Sequence, residues 1–460
     1  MPTDNPISCT NTEPWANLNW MSRIHPRMGS AGVQDYMPDL AQQVCGRSDC
    51  IRHRSRICTD NDLVLVARLN IAASRGDATL TMPDEAPFSE RILSHVEVIV
   101  RTSITRARRV VVKIGSSTLV ANEAAAGQLA AELAAFCSRG YGFVLVTSGA
   151  IAIGCSRLGY RTRPKEMAKL QAAAAAGQSI LMRRYDEAFA AAGLTAAQVL
   201  LTHADLADRE RANNAREALA ELLEAKAVPI INENDTVSTE EIRFGDNDQL
   251  AGMVTPLAGA DLLILLTDVE GVLDVHGKRI SVLTDAAEVG QVESRGERVG
   301  TGGMQSKLAA AKMATRSGAS VVIAPGNKPQ IIKQVLAGKD VGTFMPSGHK
   351  TLRARKHWIA YTLRPRGTIL LDDGAVRAIQ GGKSSLLPVG VVGVRGDFFA
   401  GDAVELVALN GAIIGRGLTR LGAIDVARTA GKKGAGLANL VASEHADIVV
   451  VHKDDLVTDL

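Results

Sequence analysis

Between residues 108 and 337 the chain alternates short, unbroken apolar runs with longer Ala- and Leu-rich stretches, a pattern that few folds accept. The apolar runs fall at 110–114, 143–146, 198–201, 228–231, 262–266 and 321–324. They are continuous rather than alternating, as strands covered on both faces require. The stretches between them, 124–138, 166–192, 209–225, 247–258 and 304–317, have helical composition. Strand–helix alternation of this kind predicts an α/β fold, a parallel sheet sandwiched by helices.

The texture changes on both sides of this region. Beyond 363, turn signals arrive at short intervals: Asp372-Asp373-Gly374, Gly381-Gly382, Gly390, Gly396, Gly401-Asp402 and Asn410-Gly411. Strand-like runs at 368–371, 389–394, 403–409 and 412–415 lie between them, which predicts a small β-rich domain over 363–440 and a tail over 441–460. The stretch 347–362, with Lys350, Arg353, Arg355 and Lys356, reads as a connector behind a main domain spanning 108–346. Residues 1–107 mix Pro, Ser, Asn, Asp and Arg without sustained periodicity, and read as a disordered extension or as a stretch upstream of the functional start. Cys45, Cys50, Cys58 and His53 in that stretch lack paired Cys-x2-Cys spacing, so free thiols are the simpler reading than a metal site.

Composition narrows the function classes. A net charge of +3 over 460 residues and only 3% aromatics argue against a dedicated nucleic-acid binder. Cys9, Cys45, Cys50 and Cys58 crowd the first part of the chain, unlike a disulfide framework spread over a secreted fold, so a reducing cytoplasm is expected. No apolar run approaches the roughly 18 residues of a membrane helix, and the first residues lack the order of a signal peptide.

In parallel α/β sheets ligands gather at the carboxyl ends of the strands, so the residues after each strand carry the chemistry. The first strand holds Lys113 in its last turn and runs into Gly115-Ser116-Ser117; the second runs into Thr147-Ser148-Gly149-Ala150. The fourth ends in Asn232-Glu233-Asn234-Asp235 and the fifth in Thr267-Asp268. Gly115 and Gly149 permit tight turns and close approach of backbone to a ligand, although an ordinary strand–helix turn explains either alone. A lysine at the end of a buried strand needs a counter-charge, which favours ligand contact for Lys113 over a side chain reaching to the surface. Thr301-Gly302-Gly303-Met304-Gln305-Ser306-Lys307 brings glycines and a lysine to a helix start without Walker A spacing, and suits a phosphate loop and a surface loop equally. Asp246-Asn247-Asp248 opens another helix with more acid than a cap needs, enough to hold Mg²⁺, a substrate or the lysines.

Taken together, VVKIGSS (111–117), VTSGAIAIG (146–154), INEND (231–235), FGDNDQLA (244–251), LLTDVEGV (265–272) and GTGGMQSK (300–307) closely resemble the glutamate 5-kinases of the amino-acid kinase family. Residues 363–435, with GDFFAGDAVEL at 396–406, resemble the PUA domain that many bacterial members carry. The resemblance implies ATP- and Mg²⁺-dependent phosphorylation of the side-chain carboxylate of L-glutamate, the first step of proline biosynthesis. It also implies roles for single residues. Lys113 and Lys307 match lysines that contact ATP phosphates and stabilise the transferring group, and Asp248 matches the acid that organises them. Ser148, Asp235 and Asn247 match the glutamate-binding positions. Thr267 and Asp268, with Thr301, Gly302, Gly303, Met304, Gln305, Ser306 and Lys307, match the nucleotide-binding positions. A homo-oligomer and feedback inhibition by proline are further implications.

The resemblance stops short in places. The segment 271–301, where a lid over the nucleotide is expected, is shorter than in familiar members, and 1–107 has no counterpart. The PUA-like region is only mildly basic, so RNA binding does not follow from its name. Kinases of acetylglutamate, aspartate or a nucleoside monophosphate are rivals within the fold. An RNA-binding protein is the rival from another class, and it leaves the motifs at 110–310 without an explanation.

Overall fold

The computed structural model describes residues 101, 103–115, 124–238, 246–274, 276–284, 303–348, 351–382, 384–433 and 448–458. The expectations for residues 1–100, including the cysteine cluster, lie outside the described residues. So does most of the lid expected within 271–301.

Residues Val100–Leu460 form one compact unit containing two sheets. The larger sheet is ordered β3-β4-β2-β1-β5-β6-β7. Its strands are β1 (Arg109–Lys113), β2 (Gly142–Val146), β3 (Ala196–Leu201), β4 (Val228–Glu233), β5 (Leu262–Thr267), β6 (Ser320–Pro325) and β7 (Thr343–Met345). All neighbours are parallel except β6 and β7, whose antiparallel pairing closes one edge. Strand order reverses at β1, which has β2 on one side and β5 on the other. That reversal opens a crevice at the carboxyl end of β1.

Side-chain alternation along each strand assigns residues to two faces. Val110, Val112 and Ile114 belong to a core covered by α1 (Ala125–Cys137) and α3 (Met167–Ala191), joined by α8 (Ile331–Leu336). Val111, Val144 and Val146 belong to a second core covered by α5 (Arg209–Glu224), α6 (Asp246–Leu257) and α7 (Gly303–Ser317). Lys113 follows Val111 in register and therefore faces α6 and α7.

The remaining helices are short. The segment α2 (Ala150–Arg157) follows β2, and α4 (His203–Ala207) follows β3 within two residues. Thr202 and Asp205 cap each other reciprocally, which is enough to start a turn of helix.

The folded unit starts earlier than 108. Ile104 and Ala107 are buried in the first core, and the buried Arg101 donates to the Ser281 carbonyl at 2.8 Å and to Asp340 Oδ1 at 2.9 Å. A single helical turn carrying a charge gives no periodic signal, so the extension reads as longer than it is.

The smaller sheet is ordered β12-β11-β10-β8-β9. It consists of β8 (Gly367–Leu371), β9 (Val391–Gly396), β10 (Ala403–Ala408), β11 (Ile413–Thr419) and β12 (Val451–Val457), with β8 and β10 parallel and the other pairs antiparallel. The strand β12 lies within the stretch expected to be a tail. The Asp372-Asp373-Gly374 signal starts α10 (Asp373–Gln380) instead of a hairpin, because the Asp372 side chain accepts the Ala375 N–H at 2.6 Å and caps the helix. A second helix, α11 (Ala423–Thr429), packs on β9.

The connector is ordered and packed. It forms α9 (Ala354–His357), which continues into a π-helical turn over Trp358–Thr362. His357 Nε2 lies 2.8 Å from the Met313 carbonyl, and Trp358 Nε1 donates to the Leu206 carbonyl at 3.1 Å. On its other side, Arg416 donates to the Ala360 carbonyl at 2.9 Å and Arg355 pairs with Asp455 at 2.7 Å.

Candidate active site

Lys113, Asp248 and Lys307 converge at the crevice beside β1. Lys113 ends β1, Asp248 sits in the first turn of α6, and Lys307 in the first turns of α7. Asp248, 1% exposed, pairs with both lysines: Oδ1 lies 2.7 Å from Lys113 Nζ and Oδ2 lies 3.1 Å from Lys307 Nζ. Ser306 Oγ donates to Asp248 Oδ2 at 2.7 Å and to the Gly303 carbonyl at 3.0 Å, which fixes the start of α7.

One buried carboxylate thus faces two buried ammonium groups. Burial, with a smaller contribution from Lys307's charge, pushes the Lys113 ammonium below its ordinary value, and pairing with Asp248 opposes the shift. An excess of positive charge in a partly dry crevice is suited to an anion with several oxygens. The N-terminus of α7, a helix of 15 residues, carries Ser306 and Lys307 of this cluster, and a helix N-terminus favours negative charge.

A second group of polar side chains lies behind this one. Asn247, next to Asp248, directs Nδ2 at the Thr147 carbonyl and at Asn232 Oδ1, the latter at 2.9 Å. Asn232, buried at the end of β4, donates Nδ2 to Gln178 Oε1 on α3 at 2.8 Å. Thr147 Oγ1 meets the hydroxyl of the fully buried Tyr185 at 2.8 Å. Burial pushes the Tyr185 phenol far above its ordinary value, so it remains a neutral hydrogen-bonding partner.

Ser148 Oγ reaches the Ile114 carbonyl at 3.3 Å, tying the end of β2 to the end of β1. Gly149 then takes φ of 110°, a left-handed turn that starts α2. Asp235 is buried three residues beyond Asn232 in the sequence.

The structure therefore brings Lys113, Asp248, Ser306 and Lys307 together, with Asn247 adjacent in sequence and Ser148 beside the end of β1. Thr267 and Asp268 end the neighbouring strand β5, where the Thr267 hydroxyl donates to Asp268 Oδ1 at 3.1 Å. They rim a groove of about 1090 Å³ that Ile114, Asn327 and Lys328 also line. Gly303, Met304 and Gln305 form the first turn of α7, with Met304 packed on the second core. Thr301 and Gly302 lie outside the described residues. Of this polar group, Thr147 and Asn232 enter the sequence reading only as strand-end residues, and Gln178 does not enter it at all. Asn232 stood in plain view within INEND, as a polar side chain closing a buried strand; Gln178 is hidden in an Ala-rich helix far away in sequence.

Comparison with known proteins gives the family. The profile of the amino acid kinase family matches residues 108–325. A protein of Chromohalobacter salexigens named glutamate 5-kinase is 44% identical over 370 residues, covering 78% of this chain and 97% of that protein. The chain belongs to the amino acid kinase family. Two further members, also named glutamate 5-kinase, resemble it as strongly. The one from Synechococcus elongatus is 44% identical over 361 residues, 75% of this chain and 98% of its own. The one from Bordetella pertussis is 45% identical over 368 residues, 77% of this chain and 97% of its own. The profile of the PUA domain matches residues 367–441, which hold β8 to β11 of the smaller sheet. Within the kinase family's sheet, the two-lysine cluster occupies the crevice where strand order reverses. No helix among the described residues is long and apolar enough to cross a membrane.

Proposed function

We propose that the chain is a glutamate 5-kinase, transferring the γ-phosphoryl group of ATP to the side-chain carboxylate of L-glutamate as the first step of proline biosynthesis. The observation that carries this reading is the Lys113–Asp248–Lys307 cluster beside Asn247 at the end of β1. Bound ATP with Mg²⁺ supplies the transferable phosphoryl group. Among the described residues no cluster of three His, Cys, Asp or Glu side chains forms a cage for a metal. Mg²⁺ would enter with the nucleotide, held largely by its phosphates, the usual mode for this cation.

The side chain of glutamate, with an ordinary pKa of about 4.3, is already an anion at neutral pH, so no general base is required. Positioning and charge neutralisation then do most of the catalysis. Lys113 and Lys307 neutralise negative charge on the transferring group from two sides. Asp248 holds the two ammonium groups at a fixed separation, so that neither must be moved when charge develops. Ser148 and the amides after Gly149 suit the α-carboxylate, and the buried Asp235 suits the α-ammonium. Thr267, Asp268 and the loop 301–307 serve the nucleotide. A cytoplasmic location, assembly into a homo-oligomer and feedback inhibition by proline belong to the same proposal and rest on the resemblance.

The test is acyl phosphate formation, trapped as hydroxamate, with ATP, Mg²⁺ and hydroxylamine. L-Glutamate is expected to outperform N-acetylglutamate, which has no ammonium for Asp235, and L-aspartate, whose arm is shorter by roughly 1.5 Å. Asp235→Asn should raise the KM for glutamate steeply and leave that for ATP alone. A preference for either competitor, or no hydroxamate from any of them, overturns the assignment.

A further inference from the structure

We propose that Gln178 is a positioning residue that, through Asn232 and together with the Thr147 carbonyl, holds the Asn247 amide in one orientation, so that Asn247 meets the substrate as a hydrogen-bond acceptor and selects for a free α-ammonium group. This inference rests on the glutamate 5-kinase reading and deepens it.

The argument starts from the Thr147 carbonyl. A backbone carbonyl can only accept, so the Asn247 amide must turn its NH₂ toward it. The same Nδ2 donates its other hydrogen to Asn232 Oδ1 at 2.9 Å. Both donors of Asn247 are then engaged, and its carbonyl oxygen Oδ1 is the group left for a ligand. Since Asn232 accepts with Oδ1, it must donate with Nδ2, and it does so to Gln178 Oε1 at 2.8 Å. Three amides are thereby aligned in one direction, from Asn247 through Asn232 to Gln178.

The far end of the chain shows that this alignment is imposed. Gln178 Nε2 is buried and has no acceptor among the described residues. A buried donor without a partner carries a desolvation penalty, so it calls for an explanation. Here the penalty is the consequence of keeping Oε1 turned toward Asn232. Were Gln178 to turn over, it would present an NH₂ to the Asn232 NH₂, and the alignment would be opposed at its base.

The backbone holds Gln178 in place. Its neighbour Gly177 packs so closely on the start of α2 that a Cβ would overlap the Ala150 carbonyl. The α3 segment bearing the amide is therefore fixed relative to Ser148 and Gly149. An acceptor at Asn247 suits the ammonium of glutamate and would face an unfavourable partner in a carboxylate. The amide chain and Asp235 then act together on the same substrate group.

The experiment compares two replacements of Gln178 in the full chain. Gln178→Glu keeps an acceptor facing Asn232; Gln178→Met keeps the length and the helix but has no amide. In Gln178→Met the KM for glutamate should rise by about tenfold, with kcat and the KM for ATP changing by less than about twofold. Gln178→Glu should restore the KM to within about threefold of the parent. Melting temperatures of both variants identify loss of fold. Equal effects of the two replacements, or an equal rise in the KM for ATP, overturn the proposal. Parent enzyme without turnover of glutamate defeats the substrate reading instead, and the two failures are thereby separated.

Discussion

A lysine that ends a buried strand must find a counter-charge or give up its proton readily, and Lys113 does something of each. Asp248 supplies the counter-charge at 2.7 Å, yet burial still outweighs it and sets the ammonium below its ordinary 10.5. The sign of the pH effect follows. Because the folded value lies below the unfolded one, the unfolded chain binds more protons between the two, and stability rises with pH across that interval. The penalty is complete only below the folded value. Activity runs the other way, since phosphate neutralisation needs the charged form. We expect kcat/KM for ATP to fall along an alkaline limb whose midpoint lies below 10.5. Lys113→Arg, whose guanidinium does not titrate in this range, should remove the limb from whatever activity it retains. A pH profile that keeps the same limb in Lys113→Arg would assign the titration to another group.

At the scale of elements, the α2–α3 contact is the joint on which the glutamate side of the crevice depends. A Cβ on Gly154 would overlap the Ala173 carbonyl, and one on Gly177 the Ala150 carbonyl, so each helix is notched where the other passes. Gly177→Ala should therefore cost about 1–3 kcal/mol, read as a lower melting temperature, and should raise the KM for glutamate because α2 begins directly after Ser148 and Gly149. Gly127, exposed on α1 with open space around it, provides the control. Gly127→Ala should be neutral or stabilising by up to about 1 kcal/mol. If both substitutions behave alike, the notch is not what holds the helices. This joint was not legible in the sequence, where Gly154 and Gly177 look like any glycine within a helical stretch. Six of the seven strands of the larger sheet were legible, because burial on both faces writes them as unbroken apolar runs such as Leu262 to Leu266, whereas the three-residue β7 is too short to register. The short elements α4 and α8 were not, since one or two turns of helix leave too few positions for a period to emerge. Lys113 and Asp248 stood out because a charge beside a buried strand or repeated at a helix start is anomalous. Gln178 did not, because a single amide in an Ala-rich helix is ordinary until the fold sets it against Asn232.

Over the whole molecule, composition gave no view of what joins the two sheets. The Lys- and Arg-bearing stretch around Arg353 reads only as a connector, and its apolar members Ile359 and Ala360 are buried against Val457 and Leu418 of the smaller sheet. Its His357 and Trp358 bond to carbonyls of α7 and α4 on the kinase side. Burial pushes the His357 imidazole below its ordinary value, so it sits there neutral and packs against Tyr361. The connector thus belongs to both neighbours, and where the chain is cut should matter more than whether the smaller sheet is present. None of the proposed reacting groups lies beyond Lys307, so a chain ending at Leu363 should keep hydroxamate formation comparable to the full chain. One ending at Gly348 loses the bonds made by His357 and Trp358, about 0.5–1.5 kcal/mol each, together with the apolar cover they bring. It should remain active but melt several degrees lower. Circular dichroism establishes folding before activity is read. A folded chain ending at Leu363 without activity would give the smaller sheet a part in catalysis, and equal melting of the two truncations would reduce the connector to a passive link.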